Sequence, residues 1–258
     1  MTKHQPGAPG PITLALDIGG TGLKGGRLDP AGAIVGERAR VATPHPSPPG
    51  VVVPALIGIA EGLGGFDRVS VGFPGVVRGG RVLTAPNMGT AEWAGFDLAG
   101  VLQTKLGKPV RLLNDATVQG LGVIAGRGLE CVITLGTGFG FALYQDGRLA
   151  PHLELSQHIF RGKQTYDQYL GVEAVKKAGK RRWRKRVQRM LVQLRTLVNF
   201  DMLYIGGGDA KLIDFELPAD VRVVSNDAGI TGGVRLWDKA LDESFEGQAA
   251  TSAADAPA

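Results

Sequence analysis

Apolar residues along the chain recur in two rhythms. Short runs of strand length open it, ITLALDIGG, LKGGRLD and AIVGERARVA, joined by Gly-bearing turns, and they predict a β-meander. TPHPSPPGVVVP then reads as a Pro-rich connection, and ALIGIAEGLGGF as a short helix ended by Gly64 and Gly65. RVSVGFPG is a buried strand entering a Pro-Gly turn. In FDLAGVLQTKLG the apolar positions Phe96, Leu98, Val101, Leu102 and Leu106 share one helical face, and Gly107 ends it before the strand PVRLLND. TVQGLGVIAG predicts a helix after Asp115.

A second hairpin follows, CVITLGTGFG and FALYQDGRLA. It repeats the form of the first, VITLGTGFGFALYQDG against LALDIGGTGLKGGRLDP, as a duplicated strand-turn-strand unit would. Residues 180–200 set Trp183, Val187, Met190, Leu191, Leu194, Leu197 and Val198 along one stripe, predicting an amphipathic helix with its arginines facing away. MLYIGGG and VRVVSND are strands, and TGGVRLWDKALDESF is a closing helix. The organisation expected is a flexible arm at 1–11, a small lobe at 12–110, a large lobe at 111–228, a closing helix at 229–246 that packs back on the small lobe, and a disordered tail at 247–258.

Composition narrows the class. With 258 residues, 43% of them hydrophobic, the chain can build real cores, and its 40 glycines fall mostly at the ends of apolar runs. Cys131 is the single cysteine, so an intramolecular disulfide is excluded, a cysteine zinc site is disfavoured, and a reducing cytoplasm fits. No stretch approaches the roughly 18 consecutive apolar residues of a membrane span, and MTKHQPGAPGP lacks a signal-peptide core. The net charge of +5 is local. Nine of the 29 basic residues lie between Lys176 and Arg189, and without them 20 basic residues face 24 acidic ones, a net of −4.

Candidate chemistry begins at Asp17-Ile-Gly19-Gly20-Thr21-Gly-Leu-Lys24. Glycines let amides turn toward phosphate oxygens, Thr21 adds a hydroxyl, Lys24 a positive charge, and Asp17 could hold Mg²⁺ through water; a Gly-rich β-turn with an incidental Asp is the plain alternative. Gly136-Thr137-Gly138 repeats the arrangement about 115 residues later, and two such loops could grip one polyphosphate chain.

Four segments in this order, LALDIGGTGLKGGRLD, GFPGVVRGGRVLTAPNM, LLNDATVQGLG and TLGTGFGFALYQDGRL, resemble the ROK family (repressor, open reading frame, kinase) of sugar kinases, within it the polyphosphate glucokinase branch. The resemblance spans roughly residues 12–240. It implies an α/β, two-lobed actin-like ATPase (ribonuclease-H-like) fold with mixed sheets flanked by helices. It also implies phosphoryl transfer from ATP, inorganic polyphosphate or both to a hexose such as glucose at O6, with Mg²⁺ as cofactor and a homodimer as the assembly.

By that resemblance Asp115 of the LND motif is the base and, with Asn114, part of the sugar site; Asn114-Asp115 could otherwise simply cap the next helix. Asn87 in APNM matches a sugar-contacting Asn, with a turn residue as its alternative. Gly206, Gly207 and Gly208 match the nucleotide-side loop. Trp93 reads as filler of a lobe interface rather than as a sugar platform.

The family's Glu-x-Gly-His sugar element is altered to Glu154-Leu155-Ser156-Gln157-His158, in which Gln157 can still donate and accept hydrogen bonds. This departure motivates the alternative of a catalytically impaired protein that binds sugar or polyanion. FRGKQTYDQYLGVEAV holds no cysteine, so the zinc motif of many ROK proteins is missing and no structural zinc is expected. Lys180, Arg181, Arg182, Arg184 and Lys185 are candidate polyphosphate contacts, with a solvated helix face as the alternative. Nucleic acid is disfavoured because Trp183 is the run's lone aromatic and lies on the apolar stripe. No helix-turn-helix precedes Ile12, which disfavours a repressor.

Overall fold

The computed structural model describes residues 10–225 and 228–245; the tail expected from 247 and most of the N-terminal arm lie outside them. The chain divides into two units, Met1–Val118 with Gly229–Ala258, and Gln119–Ala228. Among the described residues no helix is long and apolar enough to cross a membrane.

The first unit runs β1 (Thr13–Ile18), β2 (Gly22–Leu28), β3 (Ile34–Ala42), α1 (Pro49–Leu63), β4 (Arg68–Phe73), the short pair β5 (Val77–Arg78) and β6 (Arg81–Val82), α2 (Thr90–Trp93), α3 (Leu98–Leu106), β7 (Val110–Asn114) and α4 (Asp115–Leu121), the last crossing the division between units. Its main sheet has the order β3-β2-β1-β4-β7. The three-strand meander is antiparallel, and β4 and β7 add in parallel.

Helix α1 starts earlier than the proline content suggests, absorbing VVVP. Pro49 occupies the first turn, where a missing N–H costs nothing, and Val52, Val53 and Leu56 bury against the sheet, while Pro54 faces solvent. Helix α3 ends as the sequence predicts, with Asp97 Oδ1 accepting the Gly100 N–H and Gly107 in the left-handed region at φ +62°. Trp93 lies within this unit's own core, against Phe73 and Phe96, with its Nε1–H donating to Ser47 O, so it fills a core rather than a lobe interface.

The second unit runs β8 (Leu129–Leu135), β9 (Phe139–Gln145), β10 (Arg148–Leu149), the small pair β11 (Ile159–Arg161) and β12 (Gln164–Thr165), α5 (Tyr166–Leu170), α6 (Val172–Ala178), α7 (Lys180–Val198), β13 (Met202–Gly206) and β14 (Val221–Val223). Its sheet order, β10-β9-β8-β13-β14, copies the first: an antiparallel meander followed by two parallel strands. The internal repeat read from the two hairpins is therefore a repeat of sheet architecture.

Helix α7 packs Trp183, Val187, Met190, Leu191 and Leu194 on this sheet's core, each large apolar side chain stabilising by about 1.5–3 kcal/mol. Leu197, assigned to the stripe, is instead 60% exposed. The predicted closing helix is short, α8 (Ala228–Thr231), then breaks into 3₁₀ turns at Gly232–Trp237 and Lys239–Ser244. Close packing explains the break. Gly233 lies where a Cβ would approach Ala15 to 2.9 Å, and Ser70 Oγ donates to Gly233 O. The segment is secured to the first unit by Arg111, stacked on Trp237 and Phe245 and paired with Asp242 at 2.8 Å.

Candidate active site

In the first unit, the β1–β2 register sets Asp17 opposite Lys24, and cross-strand partners project to the same face. Lys24 Nζ lies 2.7 Å from Asp17 Oδ2, with both side chains partly shielded from water. The turn between them is closed by the Gly19 N–H donating to Gly22 O at 3.0 Å, and Thr43 Oγ1 donates to Gly19 O at 2.5 Å. Gly20 is half-buried and Thr21 exposed, so the tip presents a hydroxyl beside a built-in ion pair.

Parallel β4 and β7 end side by side, Phe73 opposite Asn114. Buried Asn114 spends its amide on the scaffold: Oδ1 accepts the Thr117 N–H at 3.2 Å, capping α4, and Nδ2 donates to Gly75 O at 3.2 Å and more weakly to Phe73 O at 3.5 Å. Asn114 thus fixes the corner from which Asp115 emerges. Asp115 is half-buried at the first residue of α4, with Oδ1 accepting the Ala116 N–H at 2.7 Å. Asn87 is exposed on a turn closed by the Met88 N–H donating to Ala85 O.

In the second unit, three candidate segments meet at the carboxyl ends of β8 and β13. The β8–β9 turn holds Gly136, Thr137 and Gly138, the Gly136 N–H donating to Gly138 O at 3.1 Å, with Thr137 exposed. Gly207, at φ +87°, lies against β8 so closely that a Cβ would come within 2.2 Å of Leu135 O, and a Cβ on Gly136 would lie 3.8 Å from the Gly208 N–H. Gly206 is buried and Gly208 exposed. Asp209 then donates its N–H to Leu135 O at 2.9 Å, and burial raises its carboxyl above the ordinary value.

The third segment carries Glu154 and Gln157. Glu154 Oε1 accepts the Ser156 N–H at 3.2 Å, and Oε2 lies 3.5 Å from His152 Nε2. Burial works to raise the Glu154 carboxyl, but the hydrogen bonds from His152 and Ser156 outweigh it and hold it below the ordinary value. His158 is exposed.

Asp167, which no sequence motif marks as part of the site, joins these pieces. Its Oδ1 accepts the Phe139 N–H at 2.6 Å beside the Gly136–Gly138 turn, and its Oδ2 accepts from Gln157 Nε2 at 3.0 Å. Gly138 has no side chain because that carboxylate stands there: a Cβ would meet Asp167 Oδ1 at 2.7 Å. The local signal was the capping box Thr165-x-x-Gln168, which marks the start of α5 and so puts Asp167 in its first turn.

The basic run divides into two groups. Lys180, Arg181, Arg182 and Lys185 are exposed on the first turns of α7. Contrary to the expectation that the arginines face away, three of them turn inward, because guanidinium groups bridge to nearby carbonyls and rings. Arg184 donates to Leu212 O and pairs with Asp214 at 2.6 Å, Arg186 donates to Tyr169 O and stacks on its ring, and Arg189 donates to the Tyr169 hydroxyl.

Comparison with known proteins supplies the family. Residues 13–151 match the ROK family. Over 250 residues the chain is 31% identical to the polyphosphate glucokinase of Mycobacterium tuberculosis, covering 90% of this chain and 93% of the relative. The chain belongs to the ROK family.

Among solved ROK-type proteins, the inorganic polyphosphate/ATP-glucomannokinase of Arthrobacter sp. strain KM aligns with TM-score 0.80 at 31% identity, over 87% of this chain and 97% of that one. A ROK glucokinase from Streptomyces griseus, solved with glucose and AMPPNP, aligns with TM-score 0.71 at 21% identity, over 87% and 98%. The α/β class and actin-like ATPase fold expected from the sequence are those of these ROK structures.

Proposed function

We propose that this ROK sugar kinase works in the cytoplasm, moving a phosphoryl group from ATP, inorganic polyphosphate or both to a hexose hydroxyl, glucose O6, with Asp115 as general base. The observation that carries the reading is the corner at the end of β7, where buried Asn114 is locked by three backbone groups and Asp115 leaves it on the first turn of a helix. A base needs that kind of positioning, because phosphoryl transfer depends on orientation and charge more than on covalent help. The hydroxyl loses its proton to Asp115 as its oxygen bonds to phosphorus, and the bond to the departing ADP or shortened polyphosphate breaks.

Gly19, Gly20, Thr21, Gly136, Thr137 and Gly138 offer amides and hydroxyls to donor phosphates, and Lys24 a cation. Gly206, Gly207 and Gly208 take the nucleotide side. Asn87, Glu154 and Gln157 take the sugar, with Asn114 as the holder of the corner. Mg²⁺ prefers one or two carboxylates with substrate phosphates completing its shell, so a single carboxylate at the end of β1 fits it. Asp17 would hold it through water, one of its oxygens being shared with Lys24. When bound, Mg²⁺ neutralises charge on the donor phosphates.

Asp115→Asn should lower kcat by about 10²- to 10⁴-fold while hexose KM changes only a few-fold. Undiminished turnover would remove Asp115 as the base. Gln157 favours a second reading, a sugar- or polyanion-binding protein without transfer. Calorimetry showing tight hexose binding, with no product from either donor, would select it. The assembly we propose is a homodimer, tested by sedimentation.

A further inference from the structure

Gln157 is exposed, yet its amide is held in one sense. Nε2 donates to Asp167 Oδ2 at 3.0 Å and lies 3.4 Å from Ser156 Oγ. Asp167 cannot swing away to release it. Its other oxygen holds the Phe139 N–H, its own N–H donates to Ser156 O at 3.0 Å, and its carbonyl accepts the Gly171 N–H at 2.8 Å. An ionised carboxylate only accepts hydrogen bonds, so the amide edge that meets Asp167 must be the NH₂, and Oε1 is turned the other way.

We infer that Asp167 is a positioning residue that makes Gln157 a hydrogen-bond acceptor toward the sugar, so that the site selects a hydroxyl able to donate at that point. The inference rests on the sugar-kinase reading and deepens it. A glutamine without a fixed partner can flip to suit either a donor or an acceptor and discriminates poorly; one clamped by a carboxylate cannot.

The clamp depends on charge. Burial, then the neighbouring Glu154 carboxylate, push Asp167 up to about 6, against the pull of the Phe139 N–H and the Gln157 amide. Glu154 is the charged group facing it, with His152 behind Glu154. Above pH about 6 Asp167 is ionised and the clamp is set. Below it, the protonated carboxyl becomes a donor, and the Gln157 amide is released to reverse.

Steady-state kinetics of the full chain with glucose and ATP test this. Asp167→Asn, nearly the same shape, can turn its NH₂ to Gln157 and reverse the amide. Glucose KM should rise about tenfold or more and ATP KM stay within about twofold. Adding Gln157→Glu to Asp167→Asn restores an acceptor facing the sugar and should recover most of the loss, whereas Gln157→Glu alone opposes two carboxylates and should be worse than wild type. Wild-type glucose KM should climb as pH falls from about 7.5 to about 5, and the Asp167→Asn profile should lack that step.

An unmoved glucose KM in Asp167→Asn, an equal rise for ATP, or a double variant no better than the single one overturns the inference. Should Asp167→Asn fail to fold by thermal melting, the wild-type profile decides, and a flat KM overturns the inference. Wild-type protein that neither binds nor phosphorylates any hexose sinks the parent reading, whereas active wild type with unmoved variants sinks this one alone.

Discussion

The β1–β2 and β8–β9 hairpins occupy the same place in five-stranded sheets of the same order, and each ends in a Gly/Thr tip. They differ in where the charge at the tip comes from. In the first, Asp17 and Lys24 are cross-strand neighbours within the hairpin, so the ion pair is intrinsic to the strands. In the second, the tip carries no charged residue, and a carboxylate is brought to it by Asp167, 28 residues from Phe139 along the chain. One backbone plan therefore carries two kinds of tip. The first needs little more than its own strands, whereas the second takes its charge only if α5 docks and Gly207 lets β13 close against β8.

The largest effect should come from the packing side of this contrast. Gly207→Ala places a methyl 2.2 Å from Leu135 O at a positive φ and should destabilise the second unit by about 3 kcal/mol or more, while Gly19→Ala, 3.0 Å from Gly22 O, should cost about 1 kcal/mol or less. Equal shifts of the denaturation midpoint would break the comparison. Next, Lys24→Met removes the cation paired with Asp17 at the first tip, leaving Arg40 beside Gly22, and should lower kcat/KM for both donors by about 10- to 100-fold; Thr137→Ala, at the uncharged tip, should cost less than about tenfold. Similar losses would mean that the charge does not distinguish the tips.

A smaller, donor-selective effect is expected at α7. Neutralising Arg181, Arg182 and Lys185 together should raise polyphosphate KM about tenfold with ATP KM within about twofold, and added salt should narrow the gap. Arg184→Gln should instead be felt mainly in stability, since its guanidinium is engaged by Leu212 O and Asp214. Equal effects on both donors would remove polyphosphate from this surface. The smallest expected change is Thr165→Ala, which breaks the capping box holding the start of α5 and should cost about 1 kcal/mol in thermal unfolding.

Most strands and helices were legible because their signals are local. The short apolar run in TLALDI, the spacing of Leu98 to Leu106 and the positions of Gly107 and Asn114 each act over a few residues. Errors fell where packing competes with propensity. Pro54 lies inside α1 because Val52 and Val53 bury there, and the closing helix breaks at Gly233 because that segment lies against Ala15 and Ser70. The Asp17-Lys24 tip and the Asn114-Asp115 corner could be read in the same way, as they are contiguous in the chain.

Asp167 could not be read so, and neither could the division of the basic run. A carboxylate's partners 28 and 10 residues away, or the turning of Arg184 onto Leu212, depend on where α5 and α7 come to rest. By itself the sequence determined the two hairpins, the order of their motifs and the residue types at each tip, because those depend on strand periodicity and turn chemistry. Only the tertiary structure decided which polar groups are spent on one another. That choice depends on distances of a few tenths of an ångström between segments far apart in the chain, and no local pattern encodes them.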